Sequence, residues 1–242
     1  MCTSIKDEYI IELLEDIQKI ATCLELFQIN TSSIYSAMAN IKNKSSEVKY
    51  TLRPMIFNFD DNLKYPKVKS HKDIENLELS FDMKVNMDFD SFQENKDPFS
   101  EFLFNIKIYG NTIENPETKL VYTLHFDKHD GSKSPMPHPS YHFQLGGREL
   151  KDNITEYGQA LFLDSPRIMH HPMELILSID FILSNFFPLI WQNIRKSPDY
   201  FDVLKKYQEQ FIKPYYKSIV NHFESNPTIW NPQDIYPQLI ER

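Results

Sequence analysis

The chain is short of several things that would announce a function. It has two cysteines in 242 residues, Cys2 and Cys23, both near the start and without a C-x-x-C spacing. That excludes a disulfide framework and points to a reducing, cytoplasmic setting. No run of Lys and Arg occurs, and 34 acidic against 26 basic side chains leave a formal charge of −8. A duplex-binding domain draws most of its affinity from phosphate neutralisation, so duplex nucleic acid is disfavoured as the main partner. Long apolar runs are missing as well. The most apolar stretch, from Met173 to Trp191, is broken by Glu174, Asp180 and Asn185, so it reads as a buried helix rather than a membrane span. The opening residues mix acids with apolar side chains and lack the basic-then-apolar order of a signal peptide. Internal repeats, low-complexity tracts and linkers are absent too. The partner to expect is a small molecule or another protein, with no membrane.

What is present is ample core material. Hydrophobic residues make up 41% of the chain, and the 18 Phe and 13 Tyr supply large apolar areas. From Glu8 to Phe27 the apolar residues Ile10, Leu13, Leu14, Ile17, Ile20, Ala21 and Leu24 recur at helical spacing, with Asp7 as the expected N-cap. Cys23 falls on or near that stripe and reads as a buried structural thiol. A second short helix is expected from Ser33 to Lys42, capped by Thr31 or Ser32.

The period then changes to two. From Leu77 to Asp90 apolar and polar residues alternate seven times, which predicts a long strand with one wet face. Shorter versions run over Val48–Asp60, Phe102–Tyr109, Leu120–Asp127 and Tyr141–Leu145. Pro54 interrupts the first and predicts an edge strand or a bulge there. Helical spacing returns after residue 170. Pro172 suits the first turn of a helix, Pro188 kinks or ends it, and a further helix is expected from Pro198 to Phe223 with Pro214 as a kink. The expected fold is a single α+β domain over residues 1–242. An antiparallel β-meander at about 48–146 is flanked by helices at 7–43 and about 171–224, with an irregular tail.

The residues that carry chemistry gather in one window. Six of the eight histidines lie between His125 and His171, and all five glycines between Gly110 and Gly158. In His125-Phe126-Asp127-Lys128-His129, residues two apart share a face of a strand, so His125, Asp127 and His129 project together. In the segment from Tyr141 to Leu145 the same alternation leaves His142 and Gln144 on the face opposite the apolar set. Pairing the two as a hairpin brings His125, Asp127 and His142 onto one surface. A third stretch, from Asp164 to Glu174, carries Arg167, His170 and His171 and leads into the buried helix; it is expected to approach the same face.

Imidazole and carboxylate are common ligands for zinc and also suit iron or manganese. His125, Asp127, His129 and His142 are therefore the candidate metal ligands, and a divalent ion such as zinc is the candidate cofactor. His125, Asp127, His142 and His170 are the candidate catalytic groups, since neutral imidazole serves as general acid or base. Arg148, Arg167 and Gln144 are the candidate substrate-binding residues, the arginines suiting phosphate or carboxylate. The reading is a histidine-based or metal-dependent hydrolase or phosphodiesterase. Histidines that are merely half-buried and hydrogen-bonded are the plainer alternative.

Two resemblances bear on this. His138-Pro139-Ser140 is similar to the H-x-S/T element of two-histidine phosphodiesterases, a family that carries two such elements where this chain has one. The order helix, meander, His-Pro turn, helices resembles that of ubiquitin-conjugating enzymes, with His138-Pro139 where that family has His-Pro-Asn. The family's catalytic cysteine follows that element, and no cysteine follows Cys23 here. The resemblance implies an inactive, binding-type relative, a non-enzymatic interaction module.

Overall fold

A computed structural model describes residues 4–41, 47–59, 74–115, 119–128, 137–146, 150 and 167–240. Six strands form one antiparallel sheet in sequence order: β1 (Glu47–Asn58), β2 (Ile74–Asp88), β3 (Phe99–Thr112), β4 (Lys119–Lys128), β5 (Tyr141–Leu145) and β6 (Ile168–Met169). Two helices precede the sheet, α1 (Ile5–Glu25) and α2 (Ser32–Ala39), and the short α3 (Phe89–Gln93) joins β2 to β3. After β6 come α4 (Leu175–Phe186), α5 (Pro188–Ile194), α6 (Pro198–Tyr207), α7 (Lys213–Glu224) and α8 (Pro232–Ile235). The architecture is the expected α+β meander with helices before and after it.

Alternation decides which face is dry. Phe81, Met83 and Val85 of β2, Phe102, Phe104 and Ile106 of β3, and Leu124 and Phe126 of β4 are all buried on one face. They meet α1, α2, α4 and α6 in one continuous cluster. Aromatic rings make the contact between layers: Phe181 of α4 stands edge-on to both Phe104 and Phe126, with centroids 6.1 and 5.0 Å away. Burying a phenylalanine this fully is worth roughly 2–3 kcal/mol over leaving it exposed.

Pro54 does what its chemistry requires. β1 is an edge strand, and its register against β2 slips between Leu52 and Met55. The slip changes the parity of the buried positions, from Val48, Tyr50 and Leu52 before it to Met55 and Phe57 after it. Without the bulge, one of those sets would face away from the helices.

Several boundaries differ from the sequence reading. α1 begins earlier than expected, because Ser4 is its N-cap and Asp7, three residues on, returns the bond in a capping box. β2 stops at Asp88, whose carboxylate caps α3, so Phe89 and Asp90 belong to a helix and not to the strand. Pro172 lies outside the helix it was expected to open: Glu174 is the N-cap of α4 and accepts hydrogen bonds from the Ile176 and Leu177 N–H groups, both at 2.9 Å. The helix expected over Pro198–Phe223 is divided by a π-turn at Gln208–Ile212, and Pro214 sits in the first turn of α7. A proline there lacks an N–H and crowds the carbonyl of the preceding turn, and the extra residue of the π-turn accommodates that misfit. The tail is not wholly irregular, since α8 forms in it. No helix among the described residues is long and apolar enough to cross a membrane.

Candidate functional site

The site lies on the sheet face turned away from the helices. Asp127 of β4 is directly opposite His142 of β5, and His125 is opposite Gln144, so the four side chains make two adjacent rows. The rows continue into β3 and β2: Asn105 stands beside His125, and Asp82 beside Asn105, where the Asn105 amide donates to Asp82 Oδ1 at 2.9 Å. Phe126 and Phe143 alternate with them and point into the core, which is why the polar set has no freedom to turn inward. The far end of β5 is tied down beside His125. The Gly146 N–H donates to the Thr123 carbonyl at 2.8 Å, and the Thr123 hydroxyl donates to the Gly146 carbonyl at 2.7 Å. Gly146 takes φ of +76°, a left-handed conformation that a side chain would disfavour.

His125, Asp127 and His142 each offer one ligand atom, and these atoms lie within 4.8 Å of one another. His142 is the most constrained of the three, being only 2% exposed. Its Nδ1 faces the Pro139 carbonyl oxygen at 3.2 Å, and its Nε2 approaches Asp127 Oδ1 to 2.9 Å. The approach is an ion-pair distance without an aligned hydrogen bond, for Asp127 Oδ1 is buried with no hydrogen-bond partner. His138 stacks edge-on against His142, with ring centroids 4.4 Å apart.

The electrostatics follow from burial and neighbours. Burial holds the His125 imidazole below its ordinary value; Asp127 pulls the other way, while His142 and Arg167 add to the depression. Burial alone would push the Asp127 carboxyl up, but the ring of His142 and the charges of His125 and His138 outweigh it and leave the carboxyl below the usual range. A carboxylate that stays ionised beside a neutral imidazole is the donor set a divalent cation takes.

The third stretch divides between the two faces of the sheet. Met169 of β6 pairs with His142 and Ile168 with Phe143, so alternation sends neighbouring residues to opposite sides. Arg167 immediately precedes β6, and its charge bears on His125. His170 does not join the cluster, a correction to the sequence reading. Its ring packs among Phe126, Phe143 and Phe181 on the helix side, and its Nδ1 contacts the His171 carbonyl at 2.8 Å. His171 is likewise turned to the helices, with Nδ1 3.2 Å from the Tyr216 hydroxyl of α7. The cause is β6 itself, a two-residue strand too short to show a period, whose parity decides which side chain faces which way. Asn105 and Asp82 were missed, although the alternation of the Phe102–Tyr109 strand marks Asn105 as lying on the polar face. Of the remaining expected residues, His129 and Arg148 lie outside the described residues.

No family model, no curated protein and no solved structure matches this chain.

Proposed function

We propose that His125, Asp127 and His142 bind a divalent transition-metal ion, zinc first, and that the centre serves a hydrolytic reaction. One observation carries the reading. The two nitrogens of His142 face two acceptors, the Pro139 carbonyl on Nδ1 and the Asp127 carboxylate on Nε2. A neutral ring has one proton. If that proton is on Nδ1 and given to the carbonyl, the Nε2 lone pair faces carboxylate lone pairs at close range, a repulsion that a cation bound by both relieves. Metal-ligating histidines commonly donate their second ring N–H to a backbone carbonyl in this way.

The donor set suits zinc. Two imidazoles and one carboxylate are its usual ligands, at about 2.0–2.2 Å from the metal. Tetrahedral geometry at that length places donors roughly 3.4 Å apart, so the cluster, with its atoms inside 4.8 Å, needs only small adjustments, among them a slight opening of the 2.9 Å His142–Asp127 pair. Three protein ligands leave a position for water or substrate, the pattern of catalytic rather than structural zinc. Such an ion acts as a Lewis acid and promotes attack by water on an ester.

Elemental analysis after loading the purified chain with zinc tests this. The expected result is one zinc per chain, lost in His142→Ala and in His125→Ala while circular dichroism shows each variant folded. A folded wild-type chain that retains no stoichiometric zinc, cobalt or manganese overturns it. The histidine–aspartate pair is then a protonated ion pair, with the proton in the place of the metal.

A second reading, a non-enzymatic interaction module, draws support from a different surface. Tyr216, Val220 and Phe223 lie at helical spacing on α7 and are 44, 50 and 57% exposed. Apolar side chains grouped on one face of an outer helix are the usual sign of a protein contact.

A further inference from the structure

We infer that Arg167 holds an oxyanion beside His125, and that the substrate class of the centre is a phosphate ester. The inference rests on the proposed metal reading for its chemistry, though not for the binding of the anion itself.

Arg167 is placed where a structural arginine would be badly used. It immediately precedes β6, whose Met169 is paired with His142, so the chain delivers the guanidinium to the border of the histidine cluster. Its Nε is buried and has no hydrogen-bond partner among the described residues. A buried cationic nitrogen without a partner costs free energy that something has to return. Asp127 lies on the same face, but its carboxylate already faces His142 Nε2 at 2.9 Å.

The local charge count makes the same point. Two neutral imidazoles and one carboxylate around a divalent ion leave one positive charge, and Arg167 adds a second. Asp82 is two strands away and already accepts from the Asn105 amide. A face so charged attracts an anion, and the planar fork of an arginine matches the oxygens of a phosphoryl group. Gln144, opposite His125, places an amide in the same row. The ligand that satisfies the metal and the guanidinium together is a phosphoryl group, with one oxygen towards each. Hydrolysis of a monoester there balances simply: the water oxygen bonds to phosphorus, the ester P–O bond breaks, and the departing alkoxide takes one proton of the water.

Titration of inorganic phosphate into the full chain, zinc-loaded and zinc-free, followed by calorimetry, tests the inference. Arg167→Gln should weaken phosphate binding by roughly tenfold or more, and Arg167→Lys should restore part of it, with zinc affinity unchanged in both. Phosphate should raise the melting temperature of the wild type and leave that of Arg167→Gln unmoved. Equal phosphate affinity in wild type and Arg167→Gln overturns the inference, as does zinc binding with no phosphate binding at all; the metal reading survives both. Phosphate binding that depends on Arg167 in a chain that takes no zinc leaves the anion site standing and removes the metal. If Arg167→Gln fails to fold, the comparison of wild type with Arg167→Lys decides, since a lysine keeps the charge but loses the fork.

Discussion

The ammonium of Lys206 on α6 lies 2.6 Å from the carboxylate of Asp16 on α1, joining two helices far apart in the chain. Asp16 is buried at 4% exposure, and Lys206 also reaches Glu12 at 2.5 Å. Removing the ammonium leaves a carboxylate in an apolar seam with only Lys19, 3.6 Å away, as a partner. Lys206→Met is expected to destabilise the fold by about 2–3 kcal/mol, since breaking a buried pair costs more than the pair is worth. Urea denaturation checks this. The double variant Asp16→Leu with Lys206→Met should recover much of the loss.

Glu174 is a second buried carboxyl, close to Tyr9 and Leu13 of α1. Its carboxyl caps α4 inside the core, next to a cavity of about 10 Å³ lined by Tyr9, Tyr50 and Tyr207 among others. Burial raises it to about 8, against the lowering effect of the two N–H groups it accepts from. In the unfolded chain the group ionises near its ordinary value. Between about pH 4.5 and 8 the folded chain therefore holds a proton that the unfolded chain has released, and stability falls as pH rises through that window. Glu174→Gln keeps an oxygen for the cap but cannot ionise. The wild type should lose stability from pH 5 to pH 8 relative to this variant, by an amount on the order of 4 kcal/mol. Parallel pH profiles of the two proteins that coincide would refute it.

His171 acts with the opposite sign. Burial, and then the charge of His170, hold its imidazole down at about 3. Below the ordinary histidine value the unfolded chain takes up a proton that the folded chain refuses. The contribution of His171 is therefore full above about pH 6.5 and is lost as pH falls towards 3. His171→Gln should flatten the acid limb of the stability curve, and denaturation at pH 7, 5 and 4 measures it.

Phe104 is fully buried at the centre of the sheet, touching Phe81, Phe126 and Phe181. Phe104→Ala should cost about 3–5 kcal/mol, because the rings around it belong to both layers and cannot all close on the void. Phe104→Leu should cost clearly less, as thermal melts of the pair would show.

Removal of metal offers a further check on the site. If zinc is held by His125, Asp127 and His142, a chelator should lower the melting temperature of the loaded wild type and leave Asp127→Asn unaffected. The asparagine has lost the charged ligand. A chelator shift of equal size in both proteins would place the ion elsewhere.

Much of this was legible in the order of residues. The six alternations from Leu77 to Asp88 form a strand with one dry face, because a side-chain period of two buries every second residue, while the seventh, Phe89–Asp90, was taken by α3. The parity of His125, Asp127 and His142 is legible for the same reason: Phe126 and Phe143 must both go inward, so the polar residues between them must go outward. Even the bulge at Pro54 is written in the shift from Val48, Tyr50 and Leu52 to Met55 and Phe57.

Three things were decided only by the tertiary structure. Local pattern cannot reveal β6, which exists because two residues find a partner edge on β5. From it follow both the exclusion of His170 and the approach of Arg167 to His125. The short contact of His142 with Asp127 depends on register between strands that are not contiguous in the chain, and register is a property of the pair rather than of either strand. Nor does sequence show that Glu174 caps α4 from within the core, since burial there depends on Tyr50 of the sheet and Tyr9 of α1 meeting α4 at one point. Periodicity determines which way a side chain points. What it meets is determined by packing, which brings together residues that the chain keeps far apart.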